Sequence, residues 1–529
     1  MIKSILSNRQ KLLTIDSIIN RFADIETANI YVGICRAAEW PSADADVEMP
    51  VESTEYLNTL FNNMVALKRV NASNLSPVTY RKRWVSVVYD QYDHRVDMLT
   101  TIKLTSASGT VSCNAYETIV VTGANTTFTS DFFEGDVIRV MNSDGINYED
   151  KTVMNVANDT VLSVNSLFNN TYTNAAADLV YDYFPQYAAN FYVENIKGQV
   201  FKCLYNNGGA TSTVEPQVSI SGNLPESAYV ETSDGYKWKY LYTLTSPQKQ
   251  RFVSPTWLPV STDTRVSAAA VAGALDIIDI ITPGSGYNSN VASNNVNIIT
   301  ITGDGTGANV VAKVNATGAI IGTDVIDAGS DYTWATVSVG GSGTNANLIA
   351  TIPPQGGHGF NPLYEIGATN LMLSAELAGT ESDTIPTTGF DYHQVVVLAN
   401  PKLANGAYAT GTSYSTTSKI TTQVLPAGYS FTPDEIVYQG ASLATASYSA
   451  TVVSWDDVIN TLYVNNEVGA FSAFSPIKGT IQTSPVTAFG ITAPDIKRYT
   501  GDILYINNTS GIVRANNQTE QIRVTLSFK

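Results

Sequence analysis

Histidine and cysteine are nearly absent from this chain: three of each in 529 residues. His94, His358 and His393 stand far apart and carry no nucleophile motif nearby, which leaves no acid–base or zinc constellation to propose. Cys35, Cys113 and Cys203 are odd in number and show no C-x-x-C spacing, so they read as buried thiols and not as a disulfide frame or metal site. Charge is also scarce, at 15% of residues, and Lys+Arg 30 against Asp+Glu 47 gives a net −17. That balance repels phosphate backbones and anionic lipid heads, which argues against nucleic-acid and membrane-surface partners. No apolar run approaches the roughly 18–20 residues a membrane helix needs. The opening MIKSILSNRQKLL lacks a signal-peptide pattern, so the expectation is a protein made in a cytosol.

What is present is an ordinary apolar share, 44%, with polarity supplied by Asn, Thr, Ser and Gly. At roughly 100–200 residues per domain the length predicts three or four domains. Leu12, Leu13, Ile15, Ile18, Ile19 and Phe22 recur at helical spacing and predict a helix over 9–22. Tyr56, Leu57, Leu60, Phe61, Met64 and Leu67 predict a second over 55–67. Almost everything after Arg81 alternates or is β-branched between Gly, Asn, Asp and Pro turns. The fold class expected is therefore mainly β and multi-domain: a discontinuous β-rich core with an N-terminal helix and three inserted small β modules.

Repeats place the insertions. Gly284-Ser285-Gly286-Tyr287 recurs as Gly329-Ser330-Asp331-Tyr332, and Ala308-Asn309-Val310-Val311-Ala312 as Ala346-Asn347-Leu348-Ile349-Ala350. These delimit a two-unit glycine-turn module over 266–357. Phe128-Thr129-Ser130-Asp131 resembles Phe431-Thr432-Pro433-Asp434, each followed by a Val/Ile strand and a later Leu-x-Val-Asn. Two related small barrels are inferred, at 105–184 and 405–487, with Asn158-Asp159 and Asp456-Asp457 in hairpin turns. The remaining segments, 1–104, 185–265, 358–404 and 488–529, hold most tryptophans and compose the core. Loops accept such insertions because closure entropy grows only logarithmically with length.

Weak motifs resolve to turns and loops. Gly303-Asp304-Gly305-Thr306-Gly307 lacks the Lys-Ser/Thr of a phosphate loop. Asp44, Asp46 and Glu48 lack the glycine-centred loop and distal Glu of a calcium site. Asp456-Asp457 would point to opposite faces of a strand, unlike a glycosidase pair. His393 reads as an ordinary strand residue. Arg81-Lys82-Arg83-Trp84, with Tyr80 beside it, could suggest stacking on bases, but against the net charge it reads as pairing with acidic groups in the chain or on a partner subunit.

The core segments form an ordered series. Ile30-Tyr31-Val32-Gly33-Ile34-Cys35-Arg36 leads to Glu39-Trp40-Pro41-Ser42, then come Arg81-Lys82-Arg83-Trp84, Val200-Phe201-Lys202-Cys203-Leu204 and Asp234-Gly235-Tyr236-Lys237-Trp238-Lys239-Tyr240-Leu241-Tyr242. Gln394-Val395-Val396-Val397-Leu398-Ala399-Asn400-Pro401, Gly501-Asp502-Ile503-Leu504-Tyr505-Ile506-Asn507-Asn508 and Gln518-Thr519-Glu520-Gln521-Ile522-Arg523-Val524 complete it. This set, over about half the chain, resembles the baseplate wedge subunit of T-even-type contractile-tailed phages, the gene product eight family. The resemblance implies a structural, non-enzymatic virion protein of the tail baseplate, assembled in the host cytoplasm. It implies a homodimer packed against other wedge proteins, with no cofactor. Arg36, Trp40, Pro41, Arg83, Trp84, Gly235, Tyr236, Trp238, Tyr240, Asn400, Pro401, Tyr505, Glu520 and Ile522 are its motif positions, expected in the core or at interfaces. The competing reading is a tail-fibre or receptor-binding adhesin for host surface carbohydrate, since Asn/Thr/Gly-rich β repeats also serve that role; a depolymerase ranks third.

Overall fold

The computed structural model describes residues 8–23, 29–40, 47, 49–96, 98–99, 104–132, 136–141, 148–180, 189–219, 229–288, 295–378, 390–514 and 518–527. Pro41, Asp44, Asp46 and Glu48 lie outside them. The protein is mainly β, with 46% strand and 11% helix. Among the described residues no helix is long and apolar enough to cross a membrane. All three cysteines are buried and free. The chain divides into two compact units, one of residues 1–76 with 370–529 and one of 77–369. The core segments read as one series therefore distribute between two bodies.

In the first unit, helix Asn8–Ala23 buries Leu12 and Ile15. A five-stranded sheet runs in the order Ser413–Ser415, Met64–Val70, Ile30–Cys35, Phe390–Ala399, Asp502–Arg514. Ile30–Cys35 is central and buried throughout, which is why its sequence is a continuous apolar run with no polar alternation. Helix Thr54–Asn62 begins at Ser53, whose side chain accepts from the Tyr56 N–H. It packs Tyr56, Leu60 and Phe61 against that sheet. The helix expected to reach residue 67 instead ends at Asn62, and Met64–Val70 is a strand. The reason is visible in the burial: Met64, Val65, Ala66 and Leu67 are all covered. A run covered on both strand faces has the same apolar spacing as a helix stripe, so periodicity cannot separate them.

Strand Asn370–Ala378 pairs along its whole length with Thr519–Ser527. Residues 418–492 close a six-stranded barrel around Ile420, Val437, Val452, Leu462 and Ile477.

The second unit contains an eight-stranded sheet with its own core around Val121, Phe128, Ile138 and Leu162. Five of its strands, Val120–Ala124, Val161–Val164, Tyr148–Asn158, Val137–Met141 and Ala177–Val180, neighbour one another in that order. In the closed barrel Ser418–Thr422, Thr461–Gly469, Tyr448–Asp456, Ile436–Gln439 and Ser475–Gly479 follow the same order. Equivalent backbone bonds recur: Val153 N–H to Asp136 O (2.7 Å) and Val452 N–H to Glu435 O (2.9 Å). Phe128 and Phe431 are both buried.

In the glycine-turn module the two repeats are related as by a two-fold. Ile280 stands opposite Leu348, and Val325 opposite Val310. Thr300 faces Ser338 in the pair joining Ile299–Gly303 to Ala335–Val339. Gly284 and Gly329 share a left-handed backbone (φ +62° and +65°), as do Gly286 and Asp331 (φ +77° and +63°). Each tyrosine closes over the other repeat's glycine loop: a Cβ on Gly305 would lie 2.4 Å from Tyr332 Cγ, and one on Gly343 2.4 Å from Tyr287 Cγ. Gly303 to Gly307 is thus a packing turn. Asp304 within it accepts from the Thr333 hydroxyl and from the N–H groups of Thr333 and Trp334, and these bonds hold its carboxyl down at about 2. Gly305→Ala or Gly343→Ala should each destabilise the chain by about 1–3 kcal/mol, the range for overpacking. Thermal melts check this, and an unchanged midpoint would refute the interlocked packing.

Candidate functional site

The second unit's remaining sheet, Tyr192–Glu194, Gln199–Tyr205, Lys237–Thr243, Val230–Glu231, places the Asp-Gly-Tyr-x-Trp-x-Tyr block. Gly235 takes φ +83° in the turn before Lys237. Tyr236 and Trp238 are fully buried and stacked at 5.5 Å. Tyr240 is buried beside them, its hydroxyl 2.7 Å from Thr243 Oγ1. Tyr89, 5.3 Å from the Trp238 ring, completes the cluster, and Trp84 packs half-buried against it. These aromatics are core anchors, not a surface.

The basic run beside them is occupied internally. Arg81 pairs with Glu194 at 2.6 Å, Lys82 donates to Ala189 O, and Arg83 bridges to Glu194 along the backbone while its side chain stays exposed. Burial lowers the Lys82 ammonium to about 8.

Beneath that sheet lies a group that the sequence did not reveal. Lys202 and Glu365 form an ion pair with both side chains shut from water. Glu365 Oε1 also accepts from Gly359 N–H at 2.7 Å, and the Lys202 ammonium sits 4.6 Å above the Tyr92 ring. His358 Nδ1, 4.0 Å from Glu365, is buried without a hydrogen-bond partner. Burial, with Lys202 and Lys239 nearby, holds His358 well below the ordinary histidine range. It stays neutral when folded, whereas the unfolded chain takes up its proton below about pH 6.5. The unfolded state therefore binds more protons in acid, and stability falls with pH by about 1.4 kcal/mol per unit below that value. Urea unfolding of wild type and His358→Gln between pH 7 and 5 should show a shallower slope in the variant; parallel slopes would contradict the assignment.

In the first unit Arg36 and Trp40 line a cleft of about 290 Å³. Arg36 ends the central strand at φ +56°. Its N–H donates to Asn63 O and its carbonyl accepts from His393 N–H. The guanidinium lies 4.2 Å over the ring of Trp40, and Trp40 is itself buried and held by Nε1–H donating to Thr509 O at 2.8 Å. Arg36 Nη2 donates to Glu39 O at 2.9 Å. Across the cleft, Gln394 Nε2 donates to Tyr56 Oη and Asn508 Oδ1. Glu55 and Ser53 stand at the helix start on its rim. Asn400, at φ +53°, exchanges bonds with Asn29, and Pro401 is buried beside it. Tyr505 pairs with Val397. Glu520 is buried against Arg514, and Ile522 lies on the same strand face. The structure thus gathers Arg36 and Trp40 at the cleft and disperses the other described positions, burying Tyr236, Trp238, Tyr240, Pro401, Glu520 and Ile522 and leaving Arg83 exposed.

Among the described residues no three His, Cys, Asp or Glu side chains are grouped to hold a metal. Asp456 accepts from the N–H groups of Val458 and Ile459 in its hairpin turn. Comparison with known proteins finds no family model and no curated protein matching the chain.

Proposed function

We propose that the chain is a structural subunit of a contractile phage tail baseplate. It forms part of each wedge around the central hub as a homodimer, in contact with other wedge proteins. The observation that supports this reading is the ordered motif series, in which Trp40, Tyr236, Trp238 and Tyr240 are buried anchors of their units. A motif series spent on cores fixes a scaffold, and the β modules with their own cores supply surfaces for permanent contacts. Light scattering on the purified chain tests it: a dimer agrees with the wedge, and a trimer favours the carbohydrate-binding adhesin. Particles grown without the chain should lack baseplates, and normal tails in its absence would refute the proposal.

A further inference from the structure

The cleft at Arg36 has the chemistry of a recognition site. Among the non-glycine residues described with positive φ, Arg36 is the one arginine; Asn and Asp fill most of the others. A left-handed arginine costs about 1–3 kcal/mol and persists only where its surroundings fix it. Here two backbone bonds and the Trp40 stack do so. The guanidinium has one hydrogen-bond acceptor, the Glu39 carbonyl, and no carboxylate within ion-pair distance among the described residues. The opposite wall is a hydrogen-bonded network of Tyr56, Gln394 and Asn508. Among the described residues that line the cleft Arg36 is the one cation, in a chain of net charge −17. Exposed Val51 adds an apolar side chain to the cleft's lining.

We propose that this cleft captures an acidic side chain, Asp or Glu, on an extended segment of a partner protein. The carboxylate accepts from the free edge of the Arg36 guanidinium, and an aliphatic neighbour in the segment covers Val51. Arginine, tryptophan and tyrosine are the residue types that concentrate binding energy at protein interfaces, and a fixed guanidinium suits a planar carboxylate. The cleft's volume accommodates side chains of a strand and not a folded surface. This deepens the baseplate reading by giving the chemistry of one partner contact, but binding is measured on the isolated chain, so either can fail alone.

The probes are the capped tripeptides acetyl-Ala-Glu-Val-amide and acetyl-Ala-Gln-Val-amide, with free glutarate, titrated by saturation-transfer NMR at low salt. The Glu peptide should bind at least about tenfold more tightly than the Gln peptide and than glutarate, as a charge-assisted bond with an added apolar contact requires. Arg36→Met should reduce Glu-peptide binding to the Gln-peptide level. Glu55→Gln removes the competing anion from the rim and should tighten Glu-peptide binding several-fold, which keeps the test decisive if Arg36→Met fails to fold. Equal binding of the two peptides, no binding of either, glutarate binding as tightly as the Glu peptide, or no effect of Glu55→Gln overturns the proposal.

Discussion

A chain truncated after Thr519 should be recovered as insoluble protein. The strand it loses pairs residue for residue with Asn370–Ala378. Ile522 and Val524 are buried on it, and each contributes about 1.5–3 kcal/mol before entropy is subtracted. Glu520 shares their face and pairs with Arg514, whose side chain is 1% exposed. Removing one partner of a buried pair leaves an uncompensated charge and costs about 3–5 kcal/mol. Together these match a typical domain's net stability of about 5–15 kcal/mol. Arg523→Ala, at an exposed position of the same strand, should stay within about 0.5 kcal/mol. A soluble truncated chain with a cooperative melt would contradict the captured strand.

Lys202→Met should destabilise the second unit by about 3–5 kcal/mol, because Glu365 then remains buried without its ion-pair partner, keeping the hydrogen bond from the Gly359 N–H. The double variant Lys202→Met with Glu365→Leu should recover most of that loss, since apolar replacement of a whole buried pair is often neutral or stabilising. The cycle separates the pair's own worth from the penalty of stranding one member. Urea titration followed by tryptophan fluorescence reads both, and a single-variant loss under about 1 kcal/mol would show that water reaches the site.

Elements whose signal is local were legible in the sequence. The N-terminal helix, the interlocked glycine turns and the hairpin at Asp456 all follow from spacing or turn chemistry within a few residues. Met64–Val70 was not, because burial on both faces erases the alternation that marks a strand. Lys202 is a sharper case: Phe201-Lys202-Cys203 alternates as if one face met water, yet both faces are covered and its partner lies 163 residues away. The division into two units depends on pairings such as Ile30 with Ala399, which no local pattern encodes. Arg36 was marked as a motif position, but its left-handed backbone and stacking on Trp40 carry no sequence signal, since arginine has no turn preference of its own.

The central claim is a place in the baseplate, and imaging tests it most directly. If the proposed function is right, antibody raised against this chain, applied to intact contractile-tailed phage particles from the source of the chain and viewed by electron microscopy, should label the baseplate at the end of the tail, around the hub. Label confined to fibre tips, to the head or to no part of the particle would contradict the account.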